Sequence, residues 1–269
     1  MKIVAHTLVK NEQRWVWYAI TSVIDFVDEI KVWDTGSSDQ TLEVVKSIES
    51  PKLTIRQTLT KNPKAITAIR QKMLEETTGG WVLILDGDEI WTEGAIRESR
   101  KLIEGEKSLR YLANRYINFM GDVYHTQDPK AEMYNIAGFK GNVNLRLVNL
   151  DAYKKVSFEG DLSNEWMADE NGNKLQDESM GVAIVEEPYL HATRLPRSGS
   201  ETGDEITFMR KTKYKCDLGT RFPKNFIYPK VFYFPKPINV PSPWARRSIT
   251  FVANAAWQTP LRAIKNYVL

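Results

Sequence analysis

The chain has 269 residues, 42% hydrophobic and 26% charged, with 37 basic and 34 acidic side chains and a net charge of +3. That balance excludes a disordered or collagen-like chain and leaves room for one large α/β domain, or one and a half ordinary ones. The single Cys216 excludes an intrachain disulfide and fits a reducing compartment, and no run of about 18 apolar residues is present to span a membrane.

In chain order, Lys2 to Val9 is apolar and β-branched, a first strand that Lys10-Asn11-Glu12 ends. Because Met1-Lys2-Ile3-Val4 leads straight into it, no signal peptide is expected and the expected location is the cytoplasm, up to its membrane face. Glu12 to Val23 follows as a helix with a broad apolar face, then Glu29 to Asp34 as a second strand ending in an acid. Thr35-Gly36-Ser37-Ser38-Asp39 is a tight turn, with Ser38 or Asp39 placed to cap a helix whose stripe is Leu42, Val45 and Ile48. Lys52 to Gln57 is a third strand and Ala65 to Thr77 a helix closed by Gly79-Gly80. Gly80-Trp81-Val82-Leu83-Ile84-Leu85 is a strand buried on both faces, and Thr92 caps a helix from Glu93 to about Ile103. This alternation predicts a parallel sheet with right-handed crossovers.

The second half is less regular. Leu109 to Phe119, Asn142 to Leu150 and Val182 to Leu190 are predicted strands, the last delivering His191. Leu195 to Asp204 has loop composition and is expected to act as a lid, followed by a helix from Asp204 to Lys215. Three segments are expected: 1–105 as a nucleotide-binding type of α/β half, 106–217 as the second half of the same domain, and 218–269 as a basic, aromatic extension.

The chemistry concentrates where the fourth strand stops, at Asp86-Gly87-Asp88-Glu89, three carboxylates within four residues. Open α/β sheets bind ligands beyond the carboxyl ends of their strands, and dense oxygen donors there suit Mg²⁺ or Mn²⁺ shared with a phosphate. Asp34 and the Val9 to Glu12 segment end strands of the same sheet, so they line the same rim. Asp34 has a structural alternative, capping the following turn through Ser37 or Ser38. Neither Gly-x-Gly-x-x-Gly nor a Gly-Lys-Ser/Thr loop follows a strand, which argues against dinucleotide and P-loop folds.

Val9-Lys10-Asn11-Glu12, Asp28-Glu29-Ile30 leading to Asp34-Thr35-Gly36-Ser37-Ser38-Asp39, Arg70 in a helix, and Asp86-Gly87-Asp88-Glu89 together resemble a family-two glycosyltransferase with the A-type fold. The likeness is greatest to members that extend bacterial lipopolysaccharide cores and related surface glycans. The resemblance implies a mixed, mostly parallel central sheet flanked by helices, and inverting transfer from a nucleotide-diphosphate sugar, commonly a UDP-sugar, with Mg²⁺ or Mn²⁺. A glycan or lipid-linked glycan would be the acceptor. It further implies that Val9, Glu12, Asp34, Arg70 and Asp86 contact the nucleotide, and that Asp88 is the principal metal ligand, with Asp86 and His191 beside it. In the family an Arg-containing strand precedes a Phe and a His-Glu pair whose Glu is the base. Here these positions are Asn144-Leu145-Arg146-Leu147-Val148, Phe158 and Asn164-Glu165, so Asn replaces the His and Glu165 is the expected base, with Asp161 its competitor. Arg194 and Arg197 are expected near the phosphates.

Other readings of the same residues are a sugar-nucleotidyltransferase, a phosphohydrolase using Asp86 as nucleophile, or a non-catalytic nucleotide- or carbohydrate-binding module. Residues 218–269 hold eight basic residues, no acid and ten aromatics, which leaves the remainder of the chain at 29 basic against 34 acidic, a net of −5. The extension either docks on an anionic membrane or packs its rings on the main domain; nucleic acid is not an expected partner, because the rim is acidic.

Overall fold

The computed structural model describes residues 1–60, 62, 65–161, 164–196 and 217–268, with side chains of the last helix described to residue 259. The expected lid, the helix expected over 204–215 and Arg197 lie outside the described residues.

The parallel half follows the sequence. β1 (Ile3–Val9), β2 (Glu29–Asp34), β3 (Leu53–Gln57) and β4 (Trp81–Ile84) run parallel in the order β4-β1-β2-β3. They are joined by α1 (Val16–Val23), α2 (Thr41–Lys46) and α3 (Ala65–Glu75). β1 and β4 are almost wholly buried, as expected of central strands covered on both faces. Val9 pairs with Asp34 in the β1–β2 register, so the two strands end level and their following loops meet.

Those loops are stitched together by side chains. Asn11 has a left-handed backbone (φ 54°), and its Oδ1 accepts from the Ser38 backbone N–H at 2.8 Å while its own N–H donates to Ser37 Oγ at 2.9 Å. Asparagine tolerates this backbone better than most residues. Here it also replaces hydrogen bonds that neither turn can make within itself. α1 therefore begins at Val16 rather than Glu12, because residues 11–14 form this turn.

β5 (Glu89–Ile90) is short, and α4 (Glu93–Gly105) begins as expected, with Thr92 Oγ1 accepting from Ala95 N–H at 3.1 Å. β6 (Tyr111–Met120) and β10 (Val143–Asn149) extend the sheet, β10 lying antiparallel between β4 and β6. Residues before and after 105 thus share one sheet. β7 (Asp122–Thr126) and β14 (Thr220–Arg221) add to its far edge, and β8 (Tyr134–Ile136) pairs with β9 (Phe139–Gly141) apart from it. β13 (Val182–His191) lies parallel to β6, and its end also pairs antiparallel with β5. β11 (Ser157–Asp161) and β12 (Asn164–Ala168) form a separate hairpin that packs on α3, where Phe158 N–H donates to Gln71 Oε1 at 2.9 Å.

The C-terminal helix spans Ile249–Val268. Ahead of it, Trp244 packs against Tyr228 and Phe232, at ring-centroid distances of 5.1 and 5.6 Å. Among the described residues no helix is long and apolar enough to cross a membrane.

Replacing Asn11 by Ala leaves the Ser38 N–H without this acceptor and puts an ordinary side chain at positive φ; we expect a loss of about 1–2 kcal/mol, with Asn11→Gly losing less. Urea unfolding of the three proteins checks this, and equal midpoints would show that the stitch carries no stability.

Candidate active site

The Asp86-Gly87-Asp88 turn leaves β4 and packs tightly over the end of β1. A Cβ on Gly87 would lie 3.1 Å from Val9 Cγ1 and 3.3 Å from Glu12 Cγ, so a side chain there would press these neighbours aside. This contact brings Val9 and the nearly buried Glu12 to the acidic turn, as expected of neighbours on one rim.

Asp86 is held from both sides. Arg70 Nη2, from α3, donates to Asp86 Oδ1 at 3.0 Å, and Arg146 Nη2, from β10, donates to Oδ2 at 3.0 Å. Arg146 also pairs with the fully buried Glu89, and its Nε donates to Tyr189 Oη at 3.3 Å. Arg146 sits at a break in the β10–β6 register between Leu145 and Leu147, a local bulge of the kind that re-aims a side chain. Burial alone would raise the pKa of Asp86, but the Arg146 and Arg70 guanidiniums outweigh it and hold the carboxyl well below the usual range. Burial, with Asp86 and Asp88 nearby, pushes Glu89 up to about 7 against the pull of Arg146.

Arg70 reaches a second carboxylate. Its Nε lies 3.3 Å from Glu165 Oε2, so the hairpin packed on α3 delivers Glu165 to the same cluster. Burial raises the Glu165 pKa, and Arg70 only partly offsets this. Its competitor Asp161 is exposed and accepts from Asn164 N–H at 3.2 Å across the hairpin turn. Of the two, Glu165 is the one at the arginine–aspartate cluster.

Asp88 faces another way. Its Oδ2 lies 3.5 Å from His191 Nε2, and its backbone carbonyl accepts from Ala192 N–H at 2.8 Å. The pairing of His191 with Glu89 between β13 and β5 fixes this meeting. Burial would lower the His191 pKa, yet the Asp88 carboxylate raises it overall.

The donor set decides how a divalent cation would fit. Among the described residues no cluster of three His, Cys, Asp or Glu side chains encloses a metal position. Mg²⁺ and its relatives, however, are commonly held by one or two protein groups and completed by substrate phosphates. Asp88 and His191, 3.5 Å apart, suit that arrangement. Asp86 differs in that each of its oxygens already accepts a hydrogen bond from an arginine.

Two other expected residues are occupied differently. Asp34 is buried, and its carboxylate accepts from Gly36 N–H at 3.3 Å, Ser37 N–H at 3.2 Å and Ser37 Oγ. These contacts make it part of the turn, as the structural alternative describes. Arg194 pairs with Glu132 rather than projecting free toward a phosphate site. Sequence reasoning placed Arg146 in a motif strand and Glu89 among the three acids, but gave neither a partner. The available signal was a lone arginine inside the apolar run Val143 to Val148, since a charge in a buried strand requires a buried partner.

Fold and site together define an α/β protein with a cluster of paired acidic and basic side chains at the carboxyl ends of its parallel strands. Residues 6–156, more than half of the chain, match the model of Glycosyl transferase family 2, and the chain belongs to that family, a family of glycosyltransferases. It is 28% identical over 120 residues to a TPR repeat-containing protein of Synechococcus elongatus, a match covering 45% of this chain and 28% of that protein. It is also 28% identical over 100 residues to the SPbeta prophage-derived glycosyltransferase SunS of Bacillus subtilis, covering 36% and 23%. The chain spans about a quarter of the length of these curated relatives. S. aureus TarS 1–349 in complex with UDP-GlcNAc aligns with a TM-score of 0.46 at 20% identity, over 70% of this chain and 59% of that one.

Removing the Arg146 guanidinium strands Glu89 in the interior, so Arg146→Met should cost about 3–5 kcal/mol in denaturant unfolding. Adding Glu89→Gln should recover much of that loss, and additive effects in this double-mutant cycle would show that the two residues do not act as a pair.

Proposed function

We propose that this chain transfers a sugar, with inversion, from a nucleotide-diphosphate donor to a hydroxyl of a glycan or lipid-linked glycan, with a UDP-sugar as the donor. The observation that carries the reading is the division of the acidic cluster. Arg70 and Arg146 neutralise Asp86, Asp88 pairs with His191, and Glu165 stands on the Arg70 side. Inverting displacement needs a base for the attacking hydroxyl and positive charge at the departing diphosphate. Two separate carboxylates serve those two needs.

In this reading Val9, Glu12 and Arg70 line the donor, and Asp34 maintains the loop beside it. Arg70 and Arg146 fix Asp86 so that the turn presents Asp88 in one position. Asp88 and His191 would hold Mg²⁺ or Mn²⁺, which when bound supplies Lewis-acid charge to the leaving diphosphate. Glu165 accepts the proton of the acceptor hydroxyl, and its raised pKa makes it a stronger base than an exposed glutamate. Support for the donor class comes from the family and from the rim geometry.

Two outcomes follow. Asp88→Ala should abolish Mn²⁺-dependent binding of UDP measured by calorimetry, whereas Glu165→Gln should bind UDP as the wild type does and lose at least about a hundredfold in kcat. Because the base must be ionised, kcat/KM should rise with pH through a limb lying above the ordinary glutamate value. Wild-type turnover by Glu165→Gln would remove that residue from the mechanism.

A further inference from the structure

The C-terminal segment divides into two sets of side chains. Phe222, Phe226, Tyr228, Phe232 and Trp244 turn inward and stack on one another, with Phe232 against Tyr18 at 5.5 Å and Phe119 at 6.3 Å. Hydrogen bonds pin the strap in place. Tyr228 Oη donates to Val123 O at 3.0 Å, and Tyr18 Oη donates to Pro241 O at 2.8 Å. Ring packing on the body therefore accounts for this set.

The other set is exposed, although Tyr233 also touches Trp244 at a ring-centroid distance of 5.3 Å. Ile238 is 101% exposed, Ile227 84% and Tyr233 65%, with Phe234 beside them at 47%. Folding gains nothing by exposing four large apolar groups within 12 residues, and a cluster of this kind marks an interaction surface. Lys224, Lys230 and Arg246 are exposed along the same segment, and residues 218–269 contain no acid at all.

Lys230, Val231 and Phe234 also form one wall of a groove of about 910 Å³ against α4, with Phe26 and Trp91 among its lining residues. The groove's own charges nearly balance, so the positive excess belongs to the strap.

We propose that the outer side of residues 218–246 docks on an anionic phospholipid bilayer, with Ile227, Tyr233, Phe234 and Ile238 entering the headgroup boundary and Lys224, Lys230 and Arg246 meeting phosphates. Interleaved cations and apolar groups suit that boundary, where rings and aliphatic tips sit below the headgroups while charges stay at them. A protein partner fits less well, because lysines are depleted from protein interfaces. The inference goes beyond the sugar-transfer reading and does not depend on it, since its readout is vesicle binding.

The test is co-sedimentation of the full chain with vesicles of phosphatidylglycerol and phosphatidylcholine, against pure phosphatidylcholine. Binding should require the anionic lipid and weaken with salt. Each cation near such a surface is worth roughly fivefold, so Lys224→Gln/Lys230→Gln/Arg246→Gln should bind about a hundredfold more weakly. Ile227→Ser/Ile238→Ser should weaken the binding that persists at high salt, and full exposure of Ile238 makes a folding defect no explanation. The proposal fails if the wild type ignores anionic vesicles, or if the triple variant binds unchanged. It also fails if sedimentation velocity shows a dimer abolished by the Ile variants in a chain that binds no vesicles.

Discussion

The structure depends on one carboxylate gripped by two guanidiniums. Asp86 lies between Arg70 and Arg146, each at 3.0 Å, and the two arginines come from opposite halves of the sequence. Four acids, Asp86, Asp88, Glu89 and Glu165, gather at this end of the sheet, and without compensation their mutual repulsion and burial would oppose folding. The alternation Glu165–Arg70–Asp86–Arg146–Glu89 resolves this, each charge facing an opposite one. A buried array of this kind adds little net stability but is costly to break, so it fixes geometry more than it strengthens the fold.

The grip also assigns the acids different work. With both oxygens engaged, Asp86 is a structural pivot. Asp88, two residues on, turns toward His191, which β13 brings there by pairing with β5. Glu165 arrives from a hairpin that belongs to neither strand set and reaches the cluster because it packs on the helix carrying Arg70. Three independent elements thus converge on one turn, and the sheet's register sets their spacing.

What the sequence disclosed follows from the range of the interactions involved. β1 to β4 and the Thr92 cap were legible because apolar runs and a capping threonine are local signals. The hairpin 157–168 and the strands β7 to β9 were not, since polar residues such as Glu159, Gly160 and Asn164 hide the two-residue period. Arg146 was visible as a charge in an apolar strand, but its partners lie about sixty residues away in the chain, and nothing local names them. Asp34 carries a local signal that was legible: Ser37 and Gly36 sit within reach of its carboxylate and engage it.

In the proposed reaction Glu165 and Asp88 act on opposite ends of one displacement at the anomeric carbon. Time-resolved proton NMR of the sugar released from an α-linked UDP-sugar by the Mn²⁺-loaded protein tests it most directly. The β-anomer should form first, and Glu165→Gln should suppress its release; initial formation of the α-anomer, or undiminished release by Glu165→Gln, would rule this mechanism out.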